Sequence, residues 1–430
     1  MRTDFSAEQL CDPHLADAER NLRACVHCGI CTATCPTYVL LGDERDGPRG
    51  RIVLMQNMLQ AGGAPSPQTV LHLDRCLSCL GCRTACPSGV DYARLIDKAR
   101  AHVEENYRRP VSERCTRWLI ANVLTRPSLA KFAVGLARIF APVSTRFPGT
   151  FGKMARLAVK APWSGGGLAR APDATHKIAL LPGCAQQALA PQIDAAASRV
   201  LARQGIALAP LHGAQCCGAL AHHLGKTDRA KAFARRVIAS FEQMRDAEGM
   251  LATASGCAAH MAEYPHLFAD EPEWKVRAEA FVVKVREFSQ LAAPRAGDSR
   301  RALRVAWQVP CSLQHGLRGG AEGEALIRAA GFEAVAIPEG HLCCGSAGSY
   351  SLLQPEIAGR LRARKLENCK SSEADIIATA NVGCLSHLSG PDAPPVVHLA
   401  ELLDWAEGGP IPLALKAFAN LAVETPPPAL

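Results

Sequence analysis

Hydrophobic positions recur along this chain in two rhythms. In DGPRGRIVLMQNMLQAG the apolar residues Ile52, Leu54, Met55, Met58 and Leu59 fall close to a 3.6-residue repeat, and YARLIDKARAHVEENY continues it. The first hundred residues are therefore expected to be helical. From about residue 175 to 408 the rhythm changes, and short apolar runs alternate with helical stretches twice over. KIALLPGC and RVAWQVPC read as first strands, each followed by a helix (PQIDAAASRVLARQG and EGEALIRAAG). IALAPL and EAVAIP read as second strands, followed by the long basic helices TDRAKAFARRVIASFEQMRD and PEIAGRLRARKLENCK. GMLATASGC and ADIIATANVGC read as third strands that end at a cysteine. Strands alternating with helices predict a parallel α/β sheet in each half.

The two halves are copies. Cys184, Cys216, Cys217 and Cys257, moved by 127 positions, land on Cys311, Cys343, Cys344 and Cys384, and the same shift carries Gly218 to Gly345, Gly256 to Gly383 and His260 to His387. Cysteines in register at one offset mark an internal duplication. All eight fall at or just beyond expected strand ends, where open α/β sheets place ligands. The Cys-Cys pairs suit a turn, which the following glycine supports. A non-cubane iron–sulfur cluster, zinc, a redox dithiol and a set of buried thiols without metal all remain open for them.

A different cysteine pattern occupies the helical region. Cys25-x2-Cys28-x2-Cys31-x3-Cys35-Pro36 returns as Cys76-x2-Cys79-x2-Cys82-x3-Cys86-Pro87. In paired runs of this kind three thiolates wrap one [4Fe–4S] cube and the fourth ligates the other. Cys25, Cys28, Cys31 and Cys86 are thus assigned to one cluster, and Cys76, Cys79, Cys82 and Cys35 to the second. Zinc is the bland alternative, but a tetrahedral ion does not need that spacing twice. Arg49 and Arg51 are read as lining a solvated helix start in preference to an anionic cluster. His212 and His315, each four residues from a cysteine of the repeats, are read as hydrogen-bonded structural groups.

Composition narrows the picture. Nineteen cysteines in 430 residues, with no apolar leader segment in MRTDFSAEQLCDPHLADAER, favour metal ligation in a reducing compartment over a disulfide scaffold. Three of them, Cys11, Cys115 and Cys369, lie outside both patterns and are treated as ordinary thiols. No run approaches the ~20 apolar residues of a membrane span, so a cytoplasmic location is expected. The net charge of +8 is uneven: between Arg108 and Arg170 twelve Lys or Arg face one acid, Glu113. This basic, apolar segment has the pattern of an amphipathic helix. Packing on the helical region or on a partner subunit is favoured over contact with the inner face of a membrane. It carries no nucleic-acid recognition motif and no interleaved stacking aromatics. Pro142, Pro148, Pro162 and Gly165 to Gly167 mark a linker. No strand leads into a G-x-G-x-x-G, so a dinucleotide site is not expected on this chain.

The words CVHCGICTATCPTYVLLGDERDGPRGRI, HLDRCLSCLGCRTACPSGVDYARL and HLCCGSAGSYSLLQPEIA, in this order, resemble the iron–sulfur subunits of glycolate oxidase (glycolate dehydrogenase) over nearly the whole chain. The resemblance implies a mixed fold, an α-helical dicluster ferredoxin domain followed by two tandem α/β cysteine-rich domains of the CCG type. The expected divisions are 1–110 for the ferredoxin domain, 111–172 for the basic connector, 173–297 and 298–408 for the two CCG domains, and 409–430 for a tail. It further implies FAD-binding partner subunits that oxidise glycolate to glyoxylate, and a quinone or other acceptor beyond. The repeats end in Cys257-Ala-Ala-His260 and Cys384-Leu-Ser-His387, where heterodisulfide reductases commonly carry C-x-x-C. That departure bears against a non-cubane cluster, in the first copy above all. Ser346, Ser349 and Tyr350 near the second Cys-Cys-Gly make the second copy the preferred redox-active one. Rival readings keep the class with lactate or glycerol 3-phosphate as substrate, make the chain a thiol–disulfide oxidoreductase, or reduce it to a zinc scaffold.

Overall fold

The computed structural model describes residues 1–141, 152, 155, 166–296 and 303–416. The linker positions Pro142, Pro148, Pro162 and Gly165, and the tail beyond residue 416, lie outside the described residues.

The N-terminal unit is helical. Asp12 accepts hydrogen bonds from the His14 and Leu15 amides and so caps the helix Pro13–Ala24, whose first residue has no N–H to leave unpaired. Pro36 likewise opens Pro36–Leu41 directly after Cys35, and Pro48 opens Pro48–Ala61, which stops at Gly62 in a left-handed conformation. The helices Pro48–Ala61, Pro67–Asp74 and Tyr92–Asn106 turn Ile52, Met55, Val70, Leu73, Leu95 and Ile96 inward against Leu15, Ala18 and Leu22. Each such side chain contributes about 1.5–3 kcal/mol on burial. Cys76 belongs to this core, and Cys25, Cys82 and Cys86 pack against its edge.

Each repeat builds a four-stranded, all-parallel sheet. The first contains β1 (His176–Leu180), β2 (Ile206–Pro210), β3 (Gly249–Ala252) and β4 (Val285–Glu287) in the order β2-β1-β3-β4. The second contains β5 (Arg304–Gln308), β6 (Glu333–Val335), β7 (Ile376–Thr379) and β8 (Val396–His398) in the matching order β6-β5-β7-β8. The fold is thus the mixed one expected, helical first and parallel α/β twice after it. The expected third strands are shorter than the pattern suggested: β3 and β7 end before their cysteines, and Cys257 and Cys384 sit in the helices Ser255–Ala262 and Val382–Leu388. Asn381 ends the second apolar run by accepting from the Gly383 amide as a helix cap.

The fourth strands escaped the sequence reading because the 127-residue register fails there. In the first copy the helices Tyr264–Leu267 and Pro272–Val282 intervene before β4, whereas β8 follows Leu388 after a short loop. Both strands nevertheless end in one device, a capping box at Glu287 with Gln290 and at His398 with Glu401. One apolar core is shared by the two sheets, with Leu180, Val200 and Leu251 against Trp307, Ile376 and Leu403. Arg199 and Arg203 clamp the buried Asp404 at 2.7 Å each across this junction.

The basic connector forms the helices Val111–Leu119 and Pro127–Ile139 around a π-helical turn. Ile120, Ala121 and Ala130 are buried, while Val111, Trp118, Phe132, Ile139 and Phe140 stay exposed. Among the described residues no helix is long and apolar enough to cross a membrane.

Candidate metal centres

The first cysteine run wraps inward because the residues between its thiols adopt left-handed backbone angles. His27 and Gly29 have φ of 57° and 82°, and Ser78 and Leu80 repeat this in the second run at 52° and 62°. Such angles are unfavourable for non-glycine residues and mark a backbone held by its surroundings. Cys25, Cys28, Cys31 and Cys86 line one pocket with Cys82, under Arg49 and Ile52. Burial pushes the Cys31 thiol up to about 11, helped by the neighbouring Cys25, Cys86 and Cys28 sulfurs.

The second group lies deeper. Cys35 and Cys76 are buried, and the Cys79 and Cys82 thiols are raised well above their ordinary value. Burial is the main cause for both. For Cys79 the next contributions come from Cys311 and Cys35, and for Cys82 from Cys79, Cys76 and Cys35. Four thiols crowded in this way form a soft donor set suited to an iron or zinc centre.

Arg51 reverses the reading of a solvated helix start. Its guanidinium is 1% exposed, with Nε donating to the His72 carbonyl at 2.7 Å, Nη1 and Nη2 reaching Thr37, and Nη1 3.9 Å from Cys35 Sγ. Burial alone would lower this group, but the Cys76, Tyr92, Cys35 and Asp46 charges hold it above its ordinary value. The buried Asp46 carboxylate gathers His72 at 2.9 Å, Arg75 at 2.8 Å and Arg51 at 3.4 Å. The helical period places Arg51 on the same face as Met55 and Met58, and that spacing was the signal available in the sequence. Arg49 does sit near the surface, bound to Glu44 at 2.6 Å and to the His27 carbonyl at 3.3 Å.

In the repeats, the expected turns are present at the Cys-Cys pairs. Gly218 and Gly345 have φ of 92° and 93°, and a Cβ on Gly345 would lie 2.7 Å from the Ala358 carbonyl. Their amides donate to Cys216 Sγ at 3.4 Å and Cys343 Sγ at 3.5 Å. In the second copy Cys311 Sγ lies 3.8 Å from Cys343 Sγ, and Cys344 Sγ 3.4 Å from Cys384 Sγ. In the first, the Cys216 thiol is raised by its hydrogen bond to Cys184 and by burial, and Cys257 by its bond to Cys217 and by burial. Each copy therefore gathers its four thiols at the carboxyl end of its sheet. Of the remaining cysteines, Cys11 and Cys115 are exposed, while Cys369 packs in one apolar cluster with Cys344 and Cys384.

The second copy abuts the second cysteine run. Cys79, Cys311 and Cys343 meet around Leu77 and Tyr350. Tyr350 Oη donates to the Arg75 carbonyl at 3.0 Å, and His315 Nδ1 lies 2.8 Å from Thr84 Oγ1. His315 is thus hydrogen-bonded as expected, with a partner in the N-terminal unit, whereas His212 is exposed.

A family model described as a 4Fe-4S dicluster domain matches residues 24–90, and one described as a cysteine-rich domain (CCG) matches 178–262 and 305–389. The chain is 39% identical over 423 residues to the Glycolate oxidase iron-sulfur subunit of Escherichia coli (strain K12), covering 94% of this chain and 99% of that protein. It is 31% identical over 431 residues to the Probable glycolate oxidase iron-sulfur subunit of Bacillus subtilis (strain 168), covering 91% and 95%. Lactate utilization protein A of Exiguobacterium sp. (strain ATCC BAA-1283 / AT1b) is 29% identical over 239 residues, 96% of its own length but 53% of this chain. Two full-length relatives of one kind, on a chain that joins a dicluster unit to a duplicated cysteine-rich unit, place this protein in the family of glycolate oxidase iron–sulfur subunits.

Proposed function

We propose that this chain is the electron-transfer subunit of a glycolate dehydrogenase, taking electrons from flavin subunits that oxidise glycolate to glyoxylate and delivering them towards a quinone or another acceptor. When bound, [4Fe–4S] clusters supply one-electron carriage. Cys25, Cys28, Cys31 and Cys86 would hold one and Cys76, Cys79, Cys82 and Cys35 the other. The chain works as a non-flavin component and not as a complete enzyme, because hydride removal from a hydroxy acid needs a cofactor such as a flavin.

The observation that carries this reading is the order of the thiol groups. The first set reaches the surface at the exposed Cys28, bordered by the exposed apolar residues Val26 and Ile30, and suits contact with a partner. The second set lies deeper, with Cys35 and Cys76 buried, Cys79 and Cys82 half-buried, and Cys79 beside Cys311 of the second repeat. This sequence from surface to interior favours the second copy as the continuation of the path. Its four thiols would hold a further iron–sulfur centre or zinc, and Cys184, Cys216, Cys217 and Cys257 would do the same in the first copy. The exposed apolar side of the connector, with Phe132 and Ile139, supports docking of a flavin subunit there.

Replacing Cys28 or Cys79 by serine is expected to remove the EPR signal of the corresponding cluster and to stop glycolate-driven reduction of an external acceptor in the reconstituted complex. Unchanged iron content and turnover in both variants would overturn the ligand assignment.

A further inference from the structure

Outside the clustered cysteines, two groups among the described residues bring donor atoms together as a ligand set would: Asp43, Asp46 and His72, whose central Asp46 carboxylate is already taken by Arg51, Arg75 and His72, and a second group with open valences. The second lies where the helix Tyr92–Asn106 of the N-terminal unit meets the short helix Ala219–His223, which follows the first Cys-Cys-Gly. One donor atom from each of Asp97, His222 and His223 lies within 4.8 Å of the other two. Asp97 Oδ2 is 3.8 Å from His222 Nδ1, beyond hydrogen-bond length. Asp97 Oδ1, His223 Nδ1 and His260 Nε2 are all buried without a hydrogen-bond partner. His260 is 6% exposed, and its ring centre is 5.1 Å from that of His222 and 6.3 Å from that of His223. Buried polar atoms are rarely left unsatisfied, and three in one place call for a ligand.

We propose that Asp97, His222 and His223 bind a divalent transition-metal ion, zinc foremost, with His260 beside the fourth position. Two imidazoles and a carboxylate suit zinc or ferrous iron, whereas magnesium and calcium favour oxygen donors. Burial pushes His223 down to about 3 and His260 well below its ordinary value, so both rings are neutral and offer a lone pair at neutral pH. The other charges facing the group are already engaged. Arg100 donates to Ser78 Oγ and the Cys76 carbonyl, and Glu263 accepts from Arg83 at 2.9 Å. His223 and Arg100 also line a cavity of about 350 Å³, which gives an ion a way in.

The duplication provides an internal comparison. The 127-residue shift carries His222 to Ser349, His223 to Tyr350 and His260 to His387. Tyr350 Oη is spent on the Arg75 carbonyl, and His387 Nε2 lies 3.2 Å from the Ala358 carbonyl. The ligand set is therefore specific to the first copy and its contact with the N-terminal unit. There it would pin two units already joined by Lys226 to Glu104 and Arg83 to Glu263. This site is independent of the electron-transfer reading.

The test is zinc, iron and sulfide content of the full chain, purified anaerobically from zinc-supplemented culture, for the native sequence, Asp97→Asn and the double variant His222→Ala with His223→Ala. Loss of roughly one equivalent of zinc per chain with unchanged iron and sulfide is expected. Zinc that survives both variants, or that leaves only with Cys184→Ser or Cys216→Ser, would overturn the site. Should the variants fail to fold, cobalt substitution of the native chain decides. Ligand-field bands without thiolate-to-cobalt charge transfer support the proposal, and a spectrum showing only sulfur-ligated cobalt, or none bound, contradicts it.

Discussion

Arg51 shows how a single residue can join packing to redox chemistry. Its charge is buried beside Cys35 and shares Asp46 with His72 and Arg75. Breaking a buried pair by removing one partner costs about 3–5 kcal/mol. Arg51→Met should therefore lower the chemical or thermal unfolding midpoint markedly. In the folded fraction it should also lower the reduction potential of the centre held by the second cysteine set, since loss of a nearby positive charge favours the more oxidised form. An unchanged potential in an iron-replete variant would detach Arg51 from that centre. The cysteines of both runs were legible because their spacing is set by local covalent chain geometry. The role of Arg51 was not, because arginine at a helix start is usually solvated and only tertiary packing closes Thr37, His72 and Asp46 around it. Asp97 with His222 and His223 escaped for the same reason: Asp97 lies 125 positions before His222 and meets the two histidines only when two units pack.

At the level of elements, the strands and helices of both repeats follow the hydrophobic rhythm closely, and the misses come from tertiary pairing. β4 and β8 are three residues each and are held mainly by their neighbours β3 and β7. At three residues they are too short for alternation to show. What they deliver is a helix cap, and in the second copy that cap is sensitive to acid. His398 Nδ1 accepts from the Ala400 amide at 3.1 Å while Nε2 lies 3.0 Å from the Thr253 carbonyl, an arrangement that requires the neutral ring. Burial lowers His398 to about 4 from its ordinary 6.5. Between these values the unfolded chain binds the proton and the folded chain does not, so stability is full above pH 6.5 and declines as pH falls towards 4. A shift of that size corresponds to about 3 kcal/mol. Denaturant titrations at pH 7 and pH 5 should show a smaller loss on acidification for His398→Gln than for the native sequence, measured from its own lower starting stability. Equal losses would contradict the assignment.

Across the whole molecule, a duplicated fold has been put to unequal use. Both copies gather four thiols with the same glycine turn at the Cys-Cys pair. The second presses Cys311, Tyr350 and His315 onto the second cysteine run, and the first faces the helix Tyr92–Asn106 with histidines instead. The duplication was plain in the register of the cysteines, and so was the division into a helical unit and two sheets. The way the copies seat against the helical unit was not, because it depends on residues such as Thr84, Arg75 and Leu77 that carry no pattern of their own. This asymmetry leads from a surface-reaching thiol set through a deeper one into a single repeat, and it underlies the proposal that the chain is a conductor of electrons. The most direct measurement is iron and acid-labile sulfide content with EPR of the full chain, purified and reduced under anaerobic conditions. At least about eight irons and as many sulfides per chain are expected, with signals of two interacting [4Fe–4S] clusters. Iron near zero, with zinc taking its place on the first eight cysteines, would contradict the proposal.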